Sequence, residues 1–297
     1  MSARPEEFRL GAVIITMGNR PEELNALIDS VRAQEGPAVE LAVVGNGAPL
    51  PALPEGVRSV ELPENLGIPG GRNVGIELFG PDGRDVDAVL FLDDDGLLPN
   101  TDSARLLREA FTADPHLGIV SFRIADPVSG TTQRRHVPRV RVGDPMRSSR
   151  VTTFLGGASA VRTAVFPGAG QLPAEFFYAH EETDLAWRAI DAGWSIDYRS
   201  DIVLYHPATS PARHAAYFHN VARNRVWLAR RNLPALFVPL YLGTWFLLTV
   251  ARRPSADGLK AWLGGFRAGL RGPCGPRRPM RWSTVWRLTR LGRPPVI

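Results

Sequence analysis

Residues 86–96 read Val-Asp-Ala-Val-Leu-Phe-Leu-Asp-Asp-Asp-Gly. Ala88, Val89, Leu90, Phe91 and Leu92 form an apolar run with no polar alternation, which predicts a strand covered on both faces, the signature of a parallel sheet between helices. The run ends abruptly in Asp93, Asp94 and Asp95. In an open α/β sheet, ligands bind beyond the carboxyl ends of the strands, so three acids stand where a ligand belongs. Adjacent carboxylates repel unless a cation sits among them, and a hard divalent ion takes one or two protein carboxylates and completes its shell with water and phosphate. Asp93 and Asp95, two apart on an extended chain, are expected to point to the same side. A polar turn that merely closes a strand is the plain alternative; the buried strand before it and Gly96 after it favour a metal site.

The flanking chain supports the same architecture. Leu10 to Thr16, Val39 to Val44 and Val57 to Leu62 read as strands. Pro21-Glu22-Glu23 opens a helix with Leu24, Leu27, Ile28 and Val31 at helical spacing. There proline is preformed for the first turn and acids oppose the positive dipole end. Short strand–helix–strand units predict right-handed parallel connections. Gly70-Gly71 is expected to open a helix to Phe79, with bare amides suited to an anion; a tight strand-to-helix turn is the structural reading of the same glycines. A helix over 101–113 and a strand over 117–122 follow. Residues 126–150, rich in Arg, Pro, Ser and Gly, predict a loop or irregular hairpin over the cleft. A strand with a glycine pair at its start is expected over 154–162. Glu181, Glu182 and Asp184 begin a helix that ends before Gly193, a natural C′ residue. Three acids exceed what a helix start needs, although dipole complementarity alone is common. A last strand, Ser195 to Tyr205, ends in His206.

At 297 residues and 44% apolar content, the chain can bury a substantial core. One cysteine, Cys274, excludes an intrachain disulfide framework and a Cys-rich metal site and fits a reducing compartment. Met1 to Arg9 is polar and is not read as a signal peptide. The net charge of +5 is uneven: residues 251–297 hold ten Arg and Lys260 against Asp257, a net +10, so 1–250 carry −5. A basic tail on an acidic body implies an anionic partner for the tail. No nucleic-acid-binding signature appears, so lipid is expected rather than nucleic acid.

The ordered set of motifs resembles family 2 glycosyltransferases of the GT-A fold, especially the bacterial branch of rhamnosyl- and galactofuranosyl-type transferases. The set comprises a polar turn after the first strand, Gly45-Asn46-Gly47, Gly70-Gly71-Arg72-Asn73, Asp93-Asp94-Asp95, Gly156-Gly157, Glu181-Glu182-Thr183-Asp184-Leu185 and His206. It covers about Leu10 to Pro234. The resemblance implies an α/β fold, a mixed and mostly parallel Rossmann-like sheet flanked by helices. It implies a catalytic domain over 1–232, followed by a helical appendage over 233–297. Asp93, Asp95 and His206 are the implied ligands of Mg²⁺ or Mn²⁺; Glu182 is the implied catalytic base. Thr16, Arg20, Asn46, Asn65, Gly71, Arg72, Asn73 and Asp94 are the implied donor-binding residues. Where many relatives carry the acid that contacts uracil after the second strand, this chain has Gly45, which counts against UDP and leaves dTDP, GDP or a base contact made by the backbone open. The implied activity is inverting transfer from a nucleoside-diphosphate sugar to the hydroxyl of a glycan, glycolipid or metabolite. Metal would act as Lewis acid and a carboxylate as base. The alternatives are a sugar nucleotidyltransferase, for which the loop Met17-Gly18-Asn19-Arg20 is short, and a non-catalytic scaffold binding a nucleotide sugar or a membrane.

Pro211 to Asn232 reads as a helix mixing aromatic and basic residues, and the resemblance sets Arg223-Asn224 beside the acceptor. Leu233 to Val250 is uncharged, near the ~20 residues of a membrane span, but Pro239 interrupts it. Ala256 to Leu270 and the region around Trp282 and Trp286 form basic amphipathic segments. Helices of that kind lie on an anionic bilayer surface or pair in a homo-oligomer. The expected location is cytoplasmic, peripheral at the cytoplasmic membrane face.

Overall fold

The computed structural model describes residues 7–139, 143–207, 215–252 and 255–296. The start of the chain through Glu6, the first residues of the helix expected from Pro211, and Arg253 lie outside them. In chain order the elements are β1 (Leu10–Thr16), α1 (Pro21–Arg32), β2 (Glu40–Asn46), β3 (Arg58–Leu62), α2 (Gly67–Glu77), β4 (Ala88–Asp93), α3 (Ser103–Ala113), β5 (Leu117–Ala125), β6 (Ser149–Arg150), β7 (Ala158–Arg162), α4 (Phe166–Ala169), α5 (Glu181–Asp191), β8 (Ser195–Tyr205), α6 (Ala215–Asn232), α7 (Phe237–Ala251), α8 (Ala256–Arg271) and α9 (Trp282–Arg290).

One eight-stranded sheet runs in the order β3-β2-β1-β4-β7-β5-β8-β6. The first four strands are mutually parallel. β7 lies antiparallel between β4 and β5, β8 is parallel to β5, and the short β6 edges it antiparallel. The expected mixed, mostly parallel sheet is therefore present. Alternation along β4 explains the unbroken apolar run: Val89 and Phe91 enter one hydrophobic cluster, Ala88, Leu90 and Leu92 the other, on the opposite face. Each large side chain buried this way contributes about 1.5–3 kcal/mol.

Several expectations move. The helix expected to open at Gly70 begins at Gly67, so the glycine pair sits inside it. A Cβ at Gly75 would overlap Val13 Cγ1, and one at Gly71 would press within 3.2 Å of Asn46 and Ile15. These glycines let α2 lie close on β1 and β2. The uncharged stretch 233–250 yields a helix of 15 residues, and no described helix is long and apolar enough to cross a membrane. Residues after 232 also pack on the body. Tyr241, Leu242, Met280, Val285 and Leu288 share a hydrophobic cluster with Phe91 and Trp187. Gly265 and Gly269 bring α8 against the backbone of His219 and Arg223 on α6.

Candidate active site

The carboxyl ends of β1, β2 and β4 open onto a cleft of about 630 Å³. Thr16, Arg20, Asn46, Asn65, Asp93, Asp94, Asp95 and His206 all line it, so eight of the twelve expected site residues converge there. Thr16 ends β1 and donates from Oγ1 to Asp94 Oδ2 at 2.6 Å. Arg20 pairs with Asp95 and reaches Asp94 at 3.5 Å. His206, at the end of β8, faces Asp95 with Nε2 3.2 Å from Oδ1. Burial by itself would raise the Asp95 carboxyl, but the hydrogen bond and charge of His206, with Arg20, outweigh it and hold Asp95 below its ordinary range. The same contact raises His206. Asp94 moves the other way, raised chiefly by burial.

Asp93 and Asp95 both line the cleft, but a turn rather than an extended chain sets them there, and they take different partners. The strand ends at Asp93, and the chain turns there, with Gly96 N–H donating to Asp93 O at 2.9 Å. Period-2 alternation stops where the strand stops. Asp95 turns to Arg20 and His206, while Asp93 accepts from Arg72 Nη2 at 2.8 Å. Among the described residues no three His, Cys, Asp or Glu groups are gathered as a metal cage. The donor chemistry nevertheless fits an oxygen-preferring or borderline divalent ion in an open site: a carboxylate and an imidazole nitrogen converge at Asp95 and His206, with two further carboxylates on the same wall.

Arg72 is 2% exposed and does not line the cleft. Its guanidinium lies 5.5 Å above the Phe91 ring. Among the described residues Asp93 is its one hydrogen-bond partner, and Nε and Nη1 have none. Glu182 sits beside it, behind the cleft wall. A Cβ at Gly156 would collide with Glu182 Oε1 and stand 2.5 Å from Arg72 Nη1. One at Gly157 would fall within 2.5 Å of all three atoms of the Asp93 carboxylate group. The glycine pair before β7 is therefore the space in which Arg72, Asp93 and Glu182 meet. Burial raises the Glu182 carboxyl, with Asp93 adding to it and Arg72 opposing. Glu181, 1% exposed and with Oε2 unpartnered among the described residues, is pushed up to about 8 by burial and by Glu182.

The remaining expected residues do other work. Asn73 exchanges two hydrogen bonds with the Leu172 backbone, at 2.8 and 3.1 Å; Gly71 packs under Asn46 and Ile15. Neither lines the cleft. Asn46 and Asn65 line it while holding the start of α2. Asn46 donates to Gly67 O at 3.0 Å and accepts from Leu66 N–H at 2.9 Å. Gly45 has a steric cause: a side chain there would run into the Ala48 carbonyl, so this turn has no room for an acid.

Phe177, Tyr178, Tyr217 and Asn220 also line the cleft and were not singled out from sequence. Tyr217 and Asn220, three apart on α6, share a face, a spacing that could have flagged them. Phe177, Ala179 and His180 all have positive φ, at 62°, 71° and 71°. Asn224 pins this strained segment: its Nδ2 donates to the carbonyls of Phe176, Tyr178 and Ala179 at 2.8, 2.7 and 2.9 Å. It is fully buried, a brace rather than an acceptor contact. Its neighbour Arg223 donates to Phe176 O as well, at 2.9 Å.

Solved structures of the same shape include residues 1–349 of S. aureus TarS in complex with UDP-GlcNAc. That structure superposes with a TM-score of 0.61 at 15% identity over 88% of this chain and 81% of that one. The UDP complex of the same protein gives 0.60 at 18%, over 89% and 81%. The mannosyltransferase PcManGT from Pyrobaculum calidifontis, in complex with GDP-Man and Mn²⁺, gives 0.54 at 17%, over 90% and 81%. At such identities the likeness concerns the fold. No curated protein sequence matches the chain. The model of the family described as "Glycosyl transferase family 2" matches residues 12–167. That span is more than half of the chain and runs from within β1 to beyond β7 with the whole acidic strand end, and the protein accordingly belongs to glycosyl transferase family 2, as a glycosyltransferase of GT-A-like fold.

Proposed function

We propose that the protein moves a sugar from a nucleoside-diphosphate donor to an acceptor hydroxyl in one displacement, inverting the anomeric centre. The observation that carries this is the division of the site. One wall, with Thr16, Arg20, Asp94, Asp95 and His206, suits a diphosphate and its counter-ion; behind Asp93 a single group, Glu182, is poised as a base. Relatives in fold that hold UDP, UDP-GlcNAc, or GDP-Man with Mn²⁺ support the donor class.

In this reading Asp93, Asp95 and His206 would hold Mg²⁺ or Mn²⁺, with Arg72 fixing the Asp93 carboxylate from behind. Bound there, the ion supplies Lewis-acid stabilisation of the charge that develops on the leaving diphosphate. Arg20 and the β1 turn orient the phosphates. Glu182 accepts the proton of the acceptor hydroxyl as its oxygen bonds to the anomeric carbon and the bond to the diphosphate oxygen breaks. A carboxyl raised by burial is a stronger base than an exposed one, which suits that task. The exposed apolar side chains Leu247, Trp282 and Trp286, at 68, 61 and 58%, stand among the arginines of 251–297. They fit a peripheral position against an anionic membrane, with a second copy of the chain as the competing cover.

A thermal-shift panel of UDP, GDP and dTDP with and without Mn²⁺ tests the donor site, because a ligand of the native state alone raises the melting temperature. One nucleotide should stabilise the protein more with Mn²⁺ than without. No shift with any of them would sink the reading. Sedimentation with vesicles at two salt concentrations separates the membrane from self-association.

A further inference from the structure

Phe177, Ala179 and His180 hold left-handed backbone at φ of 62°, 71° and 71°. In residues other than glycine such strain persists only where the surroundings over-determine it. Three successive residues of α6 supply the restraint. Arg223 and Asn224 hold the carbonyls of Phe176, Tyr178 and Ala179. Arg225 takes the last residue by its ring, Nη2 donating to His180 Nε2 at 3.2 Å. Burial and the Arg225 charge pull His180 well below its ordinary value, so the ring is neutral and can accept. The His180 carbonyl in turn receives the Asp184 N–H at 3.0 Å. That bond closes the first turn of α5, the turn that carries Glu182.

Arg225 is itself held from the tail. Its Nε and Nη1 have no acceptor among the described residues. Its guanidinium instead lies 3.5 Å from the centroid of the Trp245 ring on α7, the aromatic face best suited to a cation. Tyr241, one turn earlier on α7, packs 6.4 Å from that ring and meets Trp187 of α5 edge-on at 6.0 Å and 75°. Helix α7 therefore reaches α5 at two places. It holds the first turn through Trp245, Arg225 and His180, and the body through Tyr241 and Trp187. A helix held at two places along its axis cannot tilt, and a tilt of α5 is what would carry Glu182 away from Arg72 and Asp93.

We propose that Trp245 and Arg225 are positioning residues for the catalytic helix, so that α7, a helix of the tail, completes the active site by fixing the start of α5. This rests on the reading of Glu182 as the base and names what sets its place.

The test pairs amide hydrogen exchange over residues 177–184 with donor turnover, both in the full chain and below every melting temperature. Trp245→Leu removes the ring and should speed that exchange at least fivefold. It should lower kcat about tenfold with donor KM within about twofold, because the base moves while the cleft wall stays. Trp245→Phe keeps a face for the guanidinium and should restore both readouts to within about twofold. Leu288→Ala opens the same hydrophobic cluster on α9, outside the relay; it should lower the melting temperature and leave exchange over 177–184 and kcat unchanged. His180→Asn keeps a side chain that tolerates positive φ and loses the ring. If Trp245 acts through His180, the double variant is no slower than the slower single one; losses that multiply would overturn the relay. Arg225→Met reads the same quantities should Trp245→Leu fail to fold. Unchanged exchange in Trp245→Leu, an equal rise in Leu288→Ala, or raised exchange with unchanged kcat would overturn the proposal. If exchange rises only along the relay and the wild type releases no nucleoside diphosphate from any donor, α7 still fixes α5 and the transferase reading of Glu182 falls.

Discussion

Gly157→Ala is the sharpest test of how the site is built. The new methyl carbon would stand within 2.5 Å of Oδ1, Cγ and Oδ2 of Asp93, where ordinary contact begins at 3.4 Å. The carboxylate must retreat by roughly 1 Å or more. The backbone has little freedom to yield instead, since β7 is hydrogen-bonded to β4 on one side and β5 on the other. Retreat breaks the bond from Arg72 Nη2 and leaves a guanidinium 2% exposed with no acceptor. Breaking such a pair costs about 3 kcal/mol, the low end of the range because the Asp93 side chain is 39% exposed. For a domain of this size that is a fall of roughly 6–10 °C in melting temperature. Displacement of a site carboxylate by about 1 Å is also expected to slow turnover on the order of a hundredfold. Scanning fluorimetry reads the first quantity. Release of nucleoside diphosphate from the donor chosen by the nucleotide panel reads the second. A variant that melts and turns over like the wild type would show that Asp93 does not need its place against Arg72, and the geometry argued for the base would lose its support.

Glu182→Gln should abolish transfer while nucleotide binding by thermal shift is retained; near-wild-type turnover would remove Glu182 as the base. Because burial raises Glu182 above the ordinary 4.5 of a glutamate, the acidic limb of the rate–pH profile should have its midpoint above that value, with activity lost as pH falls through it. Glu181 is likewise raised, so the folded chain holds a proton that the unfolded chain releases. Its contribution to stability is present at low pH and declines as pH rises from 4.5 through the raised value. Glu181→Gln keeps the shape and drops the titration, so it should flatten that decline and gain roughly 1–3 kcal/mol at neutral pH; urea melts at pH 5 and 8 decide it, and an unchanged pH slope would count against a protonated Glu181. Asn224→Ala takes the side-chain donor from the half-buried carbonyls of Tyr178 and Ala179, while Phe176 O keeps Arg223, and should cost about 2 kcal/mol, with weaker nucleotide binding as Phe177 and Tyr178 relax; unaltered affinity would mean the strained segment holds itself.

Much of the site was legible because it obeys local rules. An apolar run with no alternation reported a doubly covered strand, and acids, a histidine and a small polar turn at strand ends reported the cleft edge. Those signals brought Thr16, Arg20, Asp94, Asp95 and His206 to one wall. The second half of the sheet was less legible. The apolar pattern of β7 is that of any buried strand, and its antiparallel direction depends on the path of the chain through 126–157. Arg72 and Asn73 occupy a glycine-rich helix start that reads as a ligand loop, and only packing shows one turned inward to Asp93 and the other to Leu172.

The sequence by itself determined the layered α/β plan, the carboxylate-rich strand end and the segregation of positive charge to 251–297. Burial periodicity and composition are written within a dozen neighbouring residues. Tertiary structure alone decided that Arg72, Asp93, Gly156 and Glu182 share one buried point. That point joins residues 21 (Arg72 and Asp93) to 110 (Arg72 and Glu182) positions apart. Such contacts follow from which surfaces the packed elements press together, and no local spacing encodes that.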